Sequence, residues 1–327
     1  MCEISVILPT DSYRTIEPVL RSLSEQTVAD RIEVVLVSTE EDVLPSETSY
    51  RDAFADLRIV TSDSLAPLPA ARSVGIRAAR GEWVLIGETH SFLLPDALEI
   101  LLARGEEGWE VVVPGFLNDN PRSLLSWGSF LASYGRWNQS LPPGPLDEAP
   151  AYDSLVRRSS LLALRPGLDE VLHDAEVLRD ALEESGARIF LESRARIRHA
   201  NIELIRAFVH EHSLIGRAIG SRRARHWSLP RRMLYLLATP LVPLVLWRRA
   251  LTGIRAARSR WQLGLRFELA AIFTFAIKAV GEALGLLGIP WGPKQVAAMT
   301  NYEVNRFDYV RDSHGRSEAA PRQHPAS

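Results

Sequence analysis

The chain has 327 residues, 46% apolar, 24% charged and 8% aromatic, with thirty-eight basic side chains against forty acidic ones for a net charge of −2. That balance excludes a disordered chain, a collagen-like repeat and a multi-span membrane bundle, and it gives no case for nucleic acid as a partner. The length exceeds what one core usually organises, and the one cysteine, Cys2, allows neither an internal disulfide nor a cysteine metal site, which suits a reducing compartment.

The opening MCEISVILPT carries Glu3 and only a short apolar run before Pro9, so it reads as a strand over Ile4–Leu8 and not as a signal peptide. Ile16, Val19, Leu20 and Leu23 then recur at helical spacing, with Pro18 expected in the first turn and Gln26-Thr27 ending the helix. Ile32–Val37 is an all-apolar strand of the doubly buried type, Leu57–Val60 a weaker strand and Trp83–Ile86 a fourth, with a short helix over Ala70–Ala79 before it. A helix over Pro95–Ala103 and a strand over Val111–Val113 follow. Trp127, Phe130, Tyr134 and Trp137 come next at spacings of 3, 4 and 3, which favours an apolar packing face over a stacking groove for an acceptor. Beyond the proline-rich break Leu141–Pro150, helical patterns over Leu155–Leu164 and Ala175–Glu184 and a strand over Arg188–Leu191 complete an α/β unit with a largely parallel sheet, ending near residue 203.

Composition then shifts. Between Leu204 and Arg266 there are thirteen arginines against the single acid Glu211. Inside this stretch the uncharged run 233–247 is too short for a simple spanning helix and holds Pro240 and Pro243, so a re-entrant or tilted interfacial element fits it. The run 269–289 is long enough to cross, but Lys278 and Glu282 share one face. Arginines flank both runs, and Trp227, Trp247 and Trp261 stand near their ends, the pattern of a membrane interface. Residues 204–310 are therefore expected to form a helical module docked on an anionic cytoplasmic leaflet, and 311–327 to form a disordered tail.

The sequence contains no G-x-G-x-x-G, no P-loop, no G-x-S-x-G and no H-E-x-x-H. Polar residues do cluster where open α/β sheets bind ligands, at the carboxyl ends of strands: Thr10-Asp11, Ser38-Thr39-Glu40 and Glu88-Thr89-His90. In an extended segment Glu88 and His90, two apart, lie on one side, so both reach one ion or one nucleotide.

These residues resemble the family-2 glycosyltransferases of the GT-A fold. SVILPTDSYRTIEPVLRSLSEQT is similar to the family's opening strand and helix, and LPAARSVGIRAARGEWVLIGETHSFLLPDALEIL to its Ala-Arg-Asn, Gly and Asp-x-Asp run, with Glu88 and His90 at the two aspartate positions. The resemblance covers about residues 3–200 and implies a mixed, mostly parallel sheet with flanking helices that transfers a sugar from a nucleotide-sugar donor with inversion. It implies that Pro9, Thr10, Asp11, Glu40, Arg72, Ser73 and Glu88 hold the donor, with Asp11 and Glu40 near base and ribose and Arg72 near the diphosphate. It further implies a divalent metal on Glu88, His90 and His199, Mn²⁺ suiting the imidazoles better than Mg²⁺. The general base falls on Asp174, with Glu176 next to it as the second candidate. Ser38-Thr39, Ser73 and Glu88-x-His90 depart from the family pattern, which leaves a non-catalytic nucleotide-sugar binder or a membrane-anchored assembly factor as rival readings. With the basic helical module beside it, the domain is expected to serve a lipid-linked or saccharide acceptor in envelope polysaccharide assembly at the cytoplasmic face of the inner membrane.

Overall fold

The computed structural model describes residues 2–40, 43–44, 49–165, 167–172, 175–289 and 291–311, without the side chains of 175, 176 and 179. In chain order the elements are β1 (Ile4–Pro9), α1 (Tyr13–Ser24), β2 (Ile32–Ser38), β3 (Asp56–Thr61), α2 (Leu68–Ala78), β4 (Trp83–Ile86), β5 (Ser91–Leu93), α3 (Ala97–Glu106), β6 (Val111–Asn118) and α4 (Leu124–Ser133). There follow β7 (Gly144–Leu146), β8 (Leu155–Arg157), α5 (Arg158–Ala163), α6 (Leu168–Val171), α7 (Ala175–Glu184) and β9 (Ile189–His199). The C-terminal helices are α8 (Ile205–His226), α9 (Leu229–Ala238), α10 (Val242–Trp261), α11 (Leu265–Leu286) and α12 (Pro293–Val304).

The strands form one mixed sheet in the order β3-β2-β1-β4-β8-β6-β9-β5, with β7 on β9. The pairs among β3, β2, β1 and β4 are parallel, as is β6 with β9, while β8 runs antiparallel to both β4 and β6. β1 and β2 are buried along their whole length, as their unbroken apolar runs require. Glycine sets the closest approach of helix to sheet: a Cβ on Gly75 of α2 would lie 2.3 Å from Ile7 Cγ2, and one on Gly87 would lie 2.7 Å from Leu8 Cδ2.

Four expectations change in detail. Pro18 sits in the second turn of α1, where it removes an interior helix hydrogen bond, since α1 starts at Tyr13. Leu155–Leu164 divides into strand β8 and helix α5. The last strand continues through β9 to His199, and β5, three residues long, pairs with its end, Ser91 opposite His199. The apolar run 233–247 is cut at a short 3-10 turn over Thr239–Leu241 that carries Pro240, so α9 and α10 meet at a bend in a helical stretch reaching from Leu229 to Trp261.

The helical module is not a separate body. Ala250, Ile254, Ala257, Ala271 and Phe275 join the same core as the sheet, and Trp127 of α4 meets Trp261 and Phe267 at ring-centroid distances of 6.4 and 6.1 Å. α8 and α11 cross through small residues. A Cβ on Gly216 or Gly220 would lie 1.9 or 2.0 Å from the carbonyl oxygens of Lys278 and Glu282, and one on Gly281 would lie 2.1 Å from that of Ser213. Lys278 and Glu282 of α11 face inward: Glu282 is gripped by Arg223 and by the Tyr235 hydroxyl at 2.8 Å, and Lys278 donates to Ser133 Oγ at 3.2 Å. The opposite faces carry exposed Leu229, Met233, Leu234, Leu237, Leu241 and Leu244 on α9, α10 and the turn between them, with Leu269 and Phe273 on α11.

Candidate active site

The segment after β4 turns at Gly87 and presents Glu88-Thr89-His90 beneath the carboxyl ends of the parallel strands. β5 then ties that segment to the end of β9, which delivers His199. Glu88 Oε2 lies 3.4 Å from His199 Nε2 and 3.7 Å from His90 Nε2, and the two rings meet edge to face at 4.7 Å. The ligand atoms of Glu88, His90 and His199 fall within 4.8 Å of one another, with all three side chains buried. The expected triad is thus brought together.

Two features fit this triad to a divalent cation. Both nitrogens of His90 are buried without a hydrogen-bond partner, and burial together with the Arg306 charge holds its ring well below the usual imidazole pKa, hence neutral with a free lone pair. His199 is oriented by Asn201: its Nδ1 lies 3.1 Å from Asn201 Oδ1, while the Asn201 amide nitrogen donates to Asn118 Oδ1 and to the His199 carbonyl, each at 3.0 Å. That arrangement puts the ring proton on Nδ1 and leaves Nε2 facing Glu88. Burial opposes ionisation of Glu88, and the polar and positive groups around it, Arg72 among them, outweigh burial, so the carboxyl stays well below its ordinary range. When bound, a divalent cation supplies charge neutralisation at the phosphate oxygens of a leaving diphosphate.

Arg72 comes from the first turns of α2. It is 2% exposed, its guanidinium stands 3.5 Å above the Tyr152 ring, one terminal nitrogen lies 4.0 Å from Glu88 Oε1, and Nε has no partner. A buried arginine with a donor to spare beside a cation cluster suits a diphosphate. Thr10 is buried at the end of β1 next to Pro9, its hydroxyl 2.7 Å from that of Thr15, and Asp11 is exposed just beyond, accepting from the Asn305 amide at 2.7 Å. Ser73 is buried and accepts from Arg77 at 2.5 Å, and Arg77 also pairs with Asp169 at 2.9 Å. Glu40 stands exposed past β2, its amide N–H on Ser38 Oγ at 3.2 Å. Neither Ser73 nor Glu40 is drawn into the Glu88 cluster. Asp174 lies outside the described residues, and Glu176 sits in α7 with its side chain undescribed.

Three residues join the site that sequence reasoning did not place there. Tyr134 donates to Glu88 Oε2 at 3.3 Å and packs against His199 with the rings tilted and their centroids 4.3 Å apart, although its helical spacing marked it as packing. Trp127 and Phe130 do pack, both nearly sealed. Asp153, at a positive φ of 61°, is buried, and burial plus the Glu88 charge push its carboxyl well above the usual range. Glu303 arrives from α12, its carboxyl raised to about 8 by burial and by Glu88 against the pull of Arg306. No motif pointed to either acid.

The sequence matches the profile of Glycosyl transferase family 2 over residues 5–161. Residues 5–161, from β1 into α5, carry the sequence of a family-2 glycosyltransferase domain. No curated protein sequence matches the chain. Among solved structures it is similar to residues 1–349 of S. aureus TarS, at 19% identity and a TM-score of 0.42 over 89% of this chain and 93% of that one. The same portion in complex with UDP-GlcNAc gives 18% and 0.43 with the same coverage, and S. aureus TarS itself gives 17% and 0.42 over 56% of its chain. With that match the glycosyltransferase reading of the fold stands as expected.

Proposed function

We propose that this glycosyltransferase is metal-assisted and inverting, and that it works on a lipid-linked or membrane-delivered acceptor at an anionic bilayer surface, the cytoplasmic face of the cell membrane. The donor diphosphate lies between Arg72 and the Glu88–His90–His199 triad, with Thr10 and Asp11 toward the nucleoside. The acceptor hydroxyl oxygen attacks the anomeric carbon from the face opposite the diphosphate. The bond from that carbon to the phosphate oxygen breaks, the nucleoside diphosphate departs, and the hydroxyl proton passes to a carboxylate, assigned to Asp174 with Glu176 as second candidate.

The observation that carries the membrane part is the apolar face of the C-terminal helices. Leu229–Trp261 and Leu265–Leu286 are each long and apolar enough to cross a membrane, yet only 6% of the first one's apolar window is buried against the protein, compared with 50% of the second's. Leu237 and Leu234 are 78% and 69% exposed, and Arg231 and Arg223 lie over the Trp227 ring at 4.2 and 5.3 Å beside this face. An apolar surface rimmed by tryptophan and arginine matches the boundary between acyl chains and anionic headgroups.

Sedimentation with vesicles tests it. The protein is expected to pellet with phosphatidylglycerol-containing vesicles and to stay in solution with pure phosphatidylcholine, and Leu234→Asp with Leu237→Asp should release it at a cost of about 1.5–3 kcal/mol per leucine withdrawn. Equal partition of the double variant and the parent rejects membrane docking by this face. For the chemistry, Asp174→Asn should lower turnover by two to four orders of magnitude while leaving donor affinity unchanged; retained turnover moves the base elsewhere.

A further inference from the structure

The last described stretch of the chain runs from α12 through a 3-10 turn over Arg306–Tyr309 and contacts the residues just past the ends of β1 and β4, Asp11 and Thr89. It is fastened to separate parts of the catalytic domain. The Thr89 hydroxyl, between Glu88 and His90, lies 2.8 Å from the Val304 carbonyl oxygen and 3.0 Å from that of Glu303. Phe307 stacks on Phe92 with centroids 5.9 Å apart, Asp308 pairs with Arg14 at 2.9 Å, and the Tyr309 carbonyl accepts from the amides of Glu203 and Leu204.

The Asn305 contact differs in kind. Its amide nitrogen donates to Asp11 Oδ2 at 2.7 Å, with a second bond to Asn301 Oδ1 at 3.2 Å. Asp11 stands at the carboxyl end of β1, beside the buried Thr10, and its other oxygen is 3.4 Å from the Thr15 hydroxyl. One carboxylate therefore serves two claimants: the strap, which holds it here, and the nucleoside, to which the proposed function gives it.

We propose that residues 293–310 form a latch on the donor cleft, in which Asn305 caps Asp11 while the cleft is empty and yields that carboxylate to the incoming nucleoside. The inference rests on the donor role given to Asp11. Donor binding then has a conformational cost, the undoing of one charge-assisted hydrogen bond on a segment otherwise held by a stacked ring pair and backbone contacts. Because α12 follows α11 after a short turn, the latch is also the segment that joins the membrane-facing helices to the cleft.

The test is calorimetric titration of UDP, GDP and dTDP into the full chain with Mn²⁺ present, on wild type and Asn305→Ala, alongside hydrogen exchange of residues 300–310. The variant is expected to bind the preferred nucleotide about tenfold more tightly, the worth of one such hydrogen bond, and nucleotide should speed exchange of the strap in the wild type. A variant affinity equal to or below wild type, or strap exchange that nucleotide leaves unchanged, overturns the latch and leaves the donor site standing. Absence of binding by both proteins to all three nucleotides overturns the donor site and the latch together.

Discussion

His90 is sealed from solvent with both ring nitrogens unpaired, and a buried polar group left so costs about 1–3 kcal/mol. A fold tolerates that cost where something other than stability is gained. His90→Leu should therefore leave the metal-free protein as stable as wild type, or up to about 2 kcal/mol more stable, while abolishing any rise in melting temperature caused by Mn²⁺. Scanning calorimetry in EDTA and in Mn²⁺ checks both halves, and a variant that still gains stability from Mn²⁺ removes His90 from the metal site. Glu303 permits a pH test. Its carboxyl keeps a proton in the folded chain between the ordinary 4.5 and about 8 that the unfolded chain releases, so its contribution favours folding at low pH and fades as pH rises through that window. In EDTA, Glu303→Gln should flatten the fall in unfolding free energy between pH 5 and 8. Glu88 and His90 were legible in the sequence as polar residues just past a strand end, although a turn closed by the Ser91 amide on the Glu88 carbonyl at 3.4 Å, not an extended segment, brings them together. Tyr134 was not, because helical spacing says which residues pack together and is silent on where a hydroxyl at the helix end points.

The same contrast holds for elements. The long apolar strands declared themselves by their runs, whereas the prolines of 233–247 marked a disturbed helix without saying that it divides into α9 and α10. β5 has three residues, too few for any alternation to register, and it is held by the ladder to β9 rather than by its own sequence. The crossing of α8 and α11 is written as glycines four apart on both helices, 216 with 220 and 281 with 285, a pattern that becomes informative once the two are known to touch. Gly216→Val should cost about 1–3 kcal/mol or more, since its Cβ has no room against the Lys278 carbonyl, whereas Gly264→Ala, with open space around it, should be nearly neutral. Chemical denaturation of the two variants measures the difference, and equal stabilities would mean that the helices separate without penalty.

At the scale of the whole molecule the composition is ordinary and the distribution is not. On the C-terminal helices buried acids pair inward, as Glu268 does with Arg258 and with Trp247 Nε1 at 2.7 Å, and most of the exposed leucines stand on the same helices. An averaged composition hides such sidedness, which is why the chain read as unremarkable by percentages and unusual by position. The strap was illegible for a related reason: Asn305 and Asp11 lie at opposite ends of the chain, and only the folded topology makes them neighbours. If the helical surface rests on lipid, raising ionic strength should weaken vesicle binding without altering the melting temperature of the core, because arginine–headgroup attraction is screened and buried apolar contact is not. Parallel loss of both would place the arginines inside the fold's own stability.

The triad and the strap are assembled from distant stretches: Glu88 and His90 from the first third, His199 from the end of the α/β domain, Asn305 from near the end of the described chain. Translation releases these pieces in order. At roughly 5–20 residues per second, roughly ten to forty seconds separate the synthesis of His90 from that of Asn305. His199 and the last long strand arrive about halfway through that interval, so the cation triad can close while Asn305 is still unmade, and the strap is the last of these pieces to be laid on the cleft.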